Sequence, residues 1–355
     1  MPPRGEQGKV PREFLESVVF ANLGAKRSSV LVDPGHGLDN AVISLGGKKV
    51  LVVTSDPLSI IPSVGLKDSA WLSVHLLASD LTTSGTDPQF AMLDLNLPPK
   101  MDLASVSTYV TALSDECKRL GIAIVGGHTG RYPGSDYTVV GGGMMFSVVD
   151  EDSYVTPAMA KAGDSVLITK GAAIGTTAVL ARSFPSTIGE KIGGELLKKA
   201  QSHLRDCSTV EDAKAAATIG LRRKVTSMHD ATEGGVLGGL DELSSACGLP
   251  VLVDQSKIHV SREAAAVCKL FALDPLTSLS EGTLVITCRP GAVPELKAAL
   301  SKRGIEVYSV GEVGLEPKDA GLWISSSGSN PRRFEPKGSQ DYWDAYSAAV
   351  RKGLK

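Results

Sequence analysis

The chain has 355 residues, 42% of them hydrophobic and 21% charged, which is typical of a globular protein large enough for two domains. The formal net charge is −2 and no run of Lys or Arg exceeds three residues, which argues against nucleic acid as a main partner, because phosphate binding needs a basic face. No stretch approaches the roughly 20 apolar residues of a membrane span, and the first residues lack the apolar core of a signal peptide. The five cysteines form no C-x-x-C pair, so we expect reduced thiols and a cytoplasmic protein.

The first 150 residues predict alternating helices and strands. In chain order, the predicted elements are a helix over residues 12–23, strands over 29–32, 41–45 and 49–54, a helix over 68–79, a strand over 90–95, a helix over 101–120, and strands over 123–125 and 137–149. The Gly46-Gly47 pair predicts a hairpin over residues 41–54. Asp68 is interpreted as a helix N-cap, and the apolar run over 123–125 as a buried strand.

A polar stretch over residues 150–163 indicates a boundary, after which the pattern begins again. The later predicted elements are a strand over 165–169, a helix from Thr176, a mostly helical region over 185–224, a helix that ends at Leu243, and strands over 251–254, 284–288 and 306–313. Residues 331–341 are interpreted as a linker, and the last fifteen residues as an amphipathic helix that covers the core. We therefore predict domains over residues 1–155 and 156–330, followed by a C-terminal linker and helix over 331–355.

Three aspartates in the first third of the chain each end an apolar run: Asp39, Asp56 and Asp80. The sequence Val-Gly-Gly-His-Thr-Gly over residues 125–130 then places bare backbone at the end of a strand. Carboxylates bind hard cations and exposed backbone N–H groups bind phosphate, so the ordered set favours a magnesium–nucleotide site. A single aspartate is more often a loop or cap residue. No P-loop or dinucleotide-binding motif is present, so an ATP site would have another, metal-rich design.

These motifs, in this order, resemble the aminoimidazole ribonucleotide (AIR) synthetase superfamily. In the first half, the superfamily's Gly-Asp-Asp-Ala-Ala-Val, Thr-Asp, Asn-Asp or Ser-Asp-Leu, and Gly-Gly-Asp/Glu/His-Thr correspond to Gly37–Val42, Ser55-Asp56, Ser79-Asp80-Leu81 and Gly126–Thr129. In the second half, its Asp-x-Thr-x-Gly-Gly corresponds to Asp230–Gly235, and the Ser-Glu-Gly of its member HypE to Ser280-Glu281-Gly282. The similarity covers about residues 8–315, and the motif order is most similar to the hydrogenase maturation protein HypE and its archaeal relatives.

The resemblance implies a two-domain α/β fold of the α+β type (PurM-like). Its N-terminal mixed sheet would pair with that of a second copy to form a barrel in a homodimer, and its C-terminal half would be an α/β sandwich. ATP would lie near that interface, bridged through Mg²⁺ to Asp39, Asp56 and Asp80. The implied nucleotide-contacting residues also include Asn40, Lys67, Gly126, Gly127, His128 and Thr129. The implied catalytic residues, at the border of the acceptor, are His229 and Asp230.

Two of these assignments have a structural alternative. Lys67 is placed where the family often has a basic residue near the phosphates, yet a solvated lysine at a helix start fits the sequence as well. His128 stands where HypE-like members usually carry Asp, and histidine is a poor Mg²⁺ ligand. Its glycine-rich context favours contact with phosphate over a purely structural role.

HypE carries the carbamoyl group on a C-terminal cysteine, whereas no cysteine follows Cys288 here, so that tail chemistry is not expected. The leading hypothesis is an Mg²⁺-dependent, ATP-using protein that activates an amide or carbonyl oxygen of a small or protein-borne substrate. One alternative is a small-molecule kinase or a purine-type cyclase of the same superfamily. Another is a non-catalytic, nucleotide-binding assembly protein that binds a maturation factor.

Overall fold

A computed structural model describes residues 8–316, 320–336 and 340–355. Six strands of the first half form one open mixed sheet: β1 (Val30–Val32), β2 (Ala41–Gly46), β3 (Lys49–Ser59), β4 (Phe90–Leu97), β5 (Ala123–Arg131) and β6 (Val139–Asp150). Their order is β1-β2-β3-β6-β4-β5, and β4 and β5 are the one parallel pair among them. The predicted hairpin is confirmed, because β2 and β3 pair in antiparallel fashion around Gly46 and Gly47.

Two long helices cover one face of this sheet. They are α2 (Leu66–Thr82) and α3 (Leu103–Leu120), after a short N-terminal α1 (Arg12–Phe14) that continues as a π-helical turn over Leu15–Val19. Leu77 of α2 and Tyr109 of α3 are fully buried against Leu58 and Met145 of the sheet. The opposite face carries exposed apolar side chains, among them Met92. The sheet is therefore packed on one side only.

The second half contains a seven-stranded sheet. Its strands are β7 (Ser165–Thr169), β8 (Val225–Ala231), β9 (Pro250–Asp254), β10 (Thr283–Cys288), β11 (Val307–Val313), β12 (Gly321–Ser325) and β13 (Arg332–Arg333). They lie in the order β13-β12-β9-β11-β7-β10-β8, with β9 and β12 parallel. Every residue of β8 and of β10 is buried.

The helices of the second half pack on the second sheet or on one another. They are α4 (Ile174–Ser183), α5 (Pro185–Ile192), α6 (Gly194–Ser202), α7 (Val210–Ala217), α8 (Gly235–Cys247), α9 (Arg262–Leu270), α10 (Val293–Ser301) and α11 (Gln340–Arg351). Side chains of α8 belong to the core on one face, and those of α7 and α10 to the core on the other. The terminal helix α11 buries Tyr342 and Ala349 against Phe184 and Ile188, as the amphipathic pattern indicated.

The mixed α/β architecture with two sheets confirms the predicted fold class. The first sheet is open within the described residues, so a barrel requires a second copy and stays a prediction. The domain limits at residues 155 and 330 also stay predictions. Of the predicted linker, residues 337–339 lie outside the described part of the chain. Among the described helices, none combines the length and apolar character that spanning a bilayer requires.

Two local predictions were wrong. Helix α2 begins at Leu66 after Gly65, and Asp68 instead accepts hydrogen bonds of 2.6 Å from Arg182 and Arg205 of the second half. The predicted buried strand over residues 123–125 is the start of an exposed edge strand, β5, which continues to Arg131. The local pattern at Asp68 is overridden by its contacts with two distant arginines, and the one at residues 123–125 fails because no element covers β5 within the described residues.

Candidate functional site

The three predicted aspartates converge beside strand β3. Thr54 of β3 donates a hydrogen bond of 2.8 Å to the carbonyl oxygen of Asp39, which immediately precedes Asn40 and β2, and one of 3.4 Å to Oδ2 of Asp80 near the end of α2. Asp56 follows Thr54 by two residues, so its side chain emerges on the same face of the strand. Three separate elements of the first half therefore bring their carboxylates to one place.

Asn40 fixes the end of α2 to this site. Its Nδ2 donates to the carbonyl oxygen of Asp80 at 2.8 Å and to Oγ1 of Thr83 at 2.9 Å. The buried Oδ1 of Asn40 has no hydrogen-bond partner within the described chain. A buried oxygen of this kind is costly unless something donates to it or coordinates it.

The second half contributes His229 and Asp230 from the end of β8. Nδ1 of His229 lies 2.8 Å from Oδ1 of Asp39, and Nε2 lies 3.0 Å from Oε2 of Glu242 on α8. Burial would lower the pKa of His229, but the two carboxylates outweigh burial and raise it well above its ordinary value. With both ring nitrogens facing carboxylates, His229 is an imidazolium that clamps Asp39 and Glu242, and it has no lone pair left for a metal.

Asp230 adds an unpaired carboxylate oxygen. Oδ1 of Asp230 is buried and has no hydrogen-bond partner in the described part of the chain. One ligating atom from each of Asp39, His229 and Asp230 can be chosen so that all lie within 4.8 Å of one another. We call Asp39, Asp56, Asp80, Asp230 and Glu242 the acidic cluster.

The carboxylates of the acidic cluster repel one another. Burial raises the pKa of Asp56 to about 6, and burial together with the charge of Asp39 raises the pKa of Asp230 to about 7. Burial, then the charges of Asp230, Asp56 and Asp39, raise the pKa of Asp80 well above its ordinary value. Glu242 behaves differently: burial opposes ionisation, but Lys9 and His229 lower its pKa to about 2. The cluster therefore holds more negative charge than its own cations balance.

A further acid, Glu281, lies close to the cluster. Burial raises the pKa of Glu281 to about 8, and it interacts electrostatically with Asp230 and Asp56. A side chain at Gly175, on the first turn of α4, would collide with the Glu281 carboxylate. Glycine at this position therefore gives the carboxylate its space.

The predicted glycine-rich residues lie on the exposed edge strand β5. Gly127 pairs with Leu93 of β4, Leu93 with Gly143 of β6, and Gly143 with Asp56 of β3. Gly127 and Asp56 thus share one row of the sheet, three strand spacings or about 14 Å apart. Gly126 and Thr129, on the same strand as Gly127, are exposed as well. Nε2 of His128 lies 2.5 Å from the hydroxyl of Tyr132. Their assignment to the nucleotide stays a prediction.

Lys67 lies apart from the acidic cluster. It is exposed at the start of α2, whereas Asp80 is near the end of the same helix. At 1.5 Å per residue, this separates the two positions by about 20 Å along the helix axis. A phosphate role for Lys67 would need a ligand that extends to that end of the helix, and it too stays a prediction.

Sequence reasoning missed three residues of the site: Lys9, Thr54 and Glu242. Nζ of Lys9 lies 3.6 Å from Oε1 of Glu242, and both residues reach the site from segments without a recognisable motif. Glu242 is one of several polar residues on α8, and only its contact with His229 marks it. Thr54 could have been found from the strand period, because it precedes Asp56 by two residues.

Two family models match the chain. They are the N-terminal domain of the AIR synthase related proteins, over residues 37–149, and the C-terminal domain of the same proteins, over residues 161–324. The chain belongs to the AIR synthase related protein family.

Relatives of this chain include a carbamoyl dehydratase HypE of Cupriavidus necator, 27% identical over 291 residues that cover 78% of this chain and 77% of the relative. A putative hydrogenase expression/formation protein of Methanocaldococcus jannaschii is 24% identical over 290 residues, with 80% and 81% covered.

Solved structures show the same fold. AaThiL complexed with AMPPCP and TMP has a TM-score of 0.70 at 17% identity and covers 94% of this chain and 98% of its own. The HypE–HypF complex gives 0.70 at 19% identity, with 91% and 99% covered. HypE in complex with ATP gives 0.64 at 16% identity, with 94% and 96% covered. At these identities the likeness establishes the fold alone.

Proposed function

We propose that this chain is a HypE-like protein that binds ATP with Mg²⁺ at the acidic cluster and uses it to activate an amide or carbonyl oxygen. The observation that carries the proposal is the convergence of Asp39, Asp56 and Asp80 from the first half with Asp230 from the second. Relatives named carbamoyl dehydratase HypE, and a HypE structure with ATP in the same fold, support it.

The residues of the cluster fit a hard divalent cation. Mg²⁺ prefers a few carboxylate oxygens together with phosphate oxygens and water. Such an ion would give a partner to the buried Oδ1 atoms of Asp230 and Asn40, which have none in the described part of the chain. It would also stabilise the ionised forms of Asp56 and Asp80, whose pKa values are raised. In this proposal Asp39, Asp56 and Asp80 hold Mg²⁺. Bound Mg–ATP would supply a transferable phosphoryl group with its charge neutralised.

The glycine-rich edge strand β5 supports a second contact with the nucleotide. Asp56 and Gly127 lie on one row about 14 Å apart. Leu77 of α2 covers Gly143, which lies between them in that row, so we assign Gly126, Gly127 and Thr129 to the nucleotide through their exposed backbone on the edge strand and not along the row. His128 would then be a donor to the nucleotide rather than a metal ligand.

The chain's own residues orient the site and hold protons. His229 keeps the carboxylate of Asp39 in place, and Thr54 holds its carbonyl oxygen. Glu281, whose pKa is raised by burial to about 8, carries a proton at neutral pH. We assign it the transfer of a proton to or from the acceptor, because a general acid works best with a pKa near the working pH. Asp230 and His229 border the acceptor.

The substrate class is inferred from relatives that are named carbamoyl dehydratase. Dehydration of an amide requires its oxygen to leave, and phosphorylation turns a poor leaving group into a good one. We therefore infer an amide or carbonyl acceptor, carried by a small molecule or by a partner protein. The structure of a HypE–HypF complex supports a maturation factor as that partner.

A second copy of the chain is the other proposed partner. The face of the first sheet that no helix covers exposes Met92, Met144 and Val148. Burying this apolar face against the same face of a second copy supports a homodimer. Sedimentation equilibrium of the whole chain tests this, with Met144→Lys expected to shift the mass to that of a monomer.

A small-molecule kinase is the second candidate function. AaThiL, whose structure contains AMPPCP and TMP, shares the fold at a TM-score of 0.70. ATP turnover measured with candidate amides and with phosphorylated metabolites separates the two candidates. Nucleotide binding without turnover on any acceptor would favour the non-catalytic assembly protein.

Isothermal titration with a non-hydrolysable ATP analogue tests the proposal. We expect binding that needs Mg²⁺ and that Asp56→Asn or Asp80→Asn weakens at least about tenfold, or ~1.4 kcal/mol. The matched control is Asp115→Asn, which removes an exposed carboxylate of α3. Binding that is independent of Mg²⁺, or equal in all three variants, would overturn the proposal.

A further inference from the structure

The N-terminal segment, residues 8–23, places a cation at the edge of the acidic cluster. Nζ of Lys9 lies 3.6 Å from Oε1 of Glu242 and 3.2 Å from Oγ1 of Thr232. The backbone N–H of Lys9 donates to Oε2 of Glu233 at 2.7 Å. Lys9 also interacts electrostatically with Asp39 and Asp80. Its ammonium group thus belongs to the charge balance of the predicted metal site.

The segment that carries Lys9 is held mainly by polar contacts. None of its side chains is buried, and Phe14, Val18 and Val19 expose between 41% and 49% of their surface. A further tie to the second half is a hydrogen bond of 2.9 Å from Arg12 to Oγ of Ser245 on α8. Only Leu15 and Phe20 among its apolar side chains are partly buried, and a segment with no fully buried side chain has little to hold it in place once its charged contacts are lost.

The carboxylates around Lys9 would attract a divalent cation as well, so the two cations would compete for them. Desolvation disfavours its charged form, but Glu242, Glu233, Asp80 and Asp39 outweigh this and raise the pKa of Lys9, so it is an ammonium at every physiological pH. An ammonium and a divalent cation attracted by the same carboxylates repel each other. Oδ1 of Asp230 is buried and has no hydrogen-bond partner within the described residues, so Lys9 does not satisfy every carboxylate oxygen of the cluster, and a cation could still bind there.

We propose that Lys9 is a tethered counter-ion of the acidic cluster that a divalent cation displaces, so that metal binding releases residues 8–23 from the second half of the molecule. This inference rests on the proposed function, since it takes the acidic cluster as the metal site. As a consequence, residues 8–23 would be bound to the second half when the site is free of metal and released from it when metal is bound. The released surface includes Glu242, which contacts His229, together with Glu233 and Ser245, which are the partners of Lys9 and Arg12.

Binding of Mn²⁺ alone to the full chain tests the proposal, measured by the loss of the free Mn²⁺ electron paramagnetic resonance signal at low ionic strength. Lys9→Met should bind Mn²⁺ about tenfold more tightly than the unmodified chain, because one competing charge is gone. Lys9→Arg keeps the charge and should bind as the unmodified chain does. Lys26→Met is the matched control, since Lys26 is an exposed lysine of the same region and the change in net charge is equal.

Hydrogen exchange of the segment provides the second readout. In the unmodified chain, Mn²⁺ should accelerate exchange of the amides over residues 9–20, whereas in Lys9→Met these amides should exchange fast without metal. Slower exchange on adding Mn²⁺ would overturn the proposal, because the segment would then close over the metal.

The outcomes distinguish this inference from the proposed function. Equal Mn²⁺ affinity in the unmodified chain and Lys9→Met overturns the counter-ion role and leaves the metal site standing. No Mn²⁺ binding by either protein, with or without ATP, overturns both. Binding by Lys9→Met alone, or tighter binding by it, supports both.

Discussion

The imidazole of His229 lies 2.8 Å from the carboxylate of Asp39, and this pair joins the second sheet to the loop that precedes β2 of the first. The side chains are 4% and 10% exposed, so the interaction is largely shielded from water. Glu242, on the other side of the ring, makes the arrangement a buried acid–imidazolium–acid triad. The candidate site therefore also connects the two halves of the molecule.

Replacing His229 by Gln should destabilise the protein strongly. The variant removes the imidazolium from between two buried carboxylates; Glu242 keeps Lys9 at 3.6 Å, whereas Asp39 loses its partner. Breaking a buried pair from one side costs about 3–5 kcal/mol. Urea unfolding of the metal-free protein measures this. The double variant His229→Gln/Asp39→Asn should recover part of the loss, because the uncompensated charge of Asp39 is then removed. A loss below about 0.5 kcal/mol in the single variant would show that the triad does not hold the halves together.

The stability contributed by Glu281 should fall as the pH rises. Burial raises its pKa in the folded protein to about 8, above the ordinary value of 4.5. The folded state therefore keeps a proton that the unfolded chain releases, and the stabilisation is complete below about pH 4.5 and disappears as the pH approaches 8. Denaturant unfolding at pH 5, 6.5 and 8 should show the chain losing stability relative to Glu281→Gln. Parallel pH curves for the two proteins would contradict this.

Mg²⁺ affinity should increase between pH 5.5 and 7.5. The pKa values of Asp56 and Asp230 are raised to about 6 and about 7, so at low pH protons occupy oxygens that the ion needs. Titration calorimetry in two buffers with different ionisation enthalpies should reveal proton release on binding at pH 6, and less of it at pH 8. Affinity that is constant over this range would show that these carboxylates are not the ligands.

Gly37 should be intolerant of alanine. It has φ +76° and lies so close to the backbone carbonyl of Glu242 that a side chain would collide with it. We expect Gly37→Ala to be less stable than Gly24→Ala by about 2 kcal/mol, the range of overpacking costs. Gly24 is a matched control with φ +75° and open space around its Cα. Equal losses in the two variants would mean that backbone strain alone, and not the approach to α8, sets the requirement for glycine.

Much of the fold followed from the sequence because periodicity reports burial. The strand β7 over residues 165–169 was predicted with its observed limits, and the glycine pair before Lys48 placed the first hairpin. The prediction failed where the decisive contact is distant. Asp68 resembles a cap but binds two arginines of the second half, and the apolar start of β5 lies on an exposed edge.

The candidate site was predictable only in part for the same reason. Asp39, Asp56 and Asp80 could be grouped because each ends an apolar run, and the structure brings them together. Glu242 and Lys9 enter through long-range contacts that leave no local pattern in the sequence. His229 binds two carboxylates and is not a free catalytic histidine. This could be recognised only once the positions of Asp39 and Glu242 were known.

A crystal structure of the whole chain with Mn²⁺ and a non-hydrolysable ATP analogue tests the central claim most directly. We predict anomalous scattering peaks about 2.1 Å from carboxylate oxygens of Asp39, Asp56 and Asp80, with the same ions bridged to phosphate oxygens. A saturated crystal with the nucleotide elsewhere, or with metal that contacts none of these three aspartates, would contradict the account.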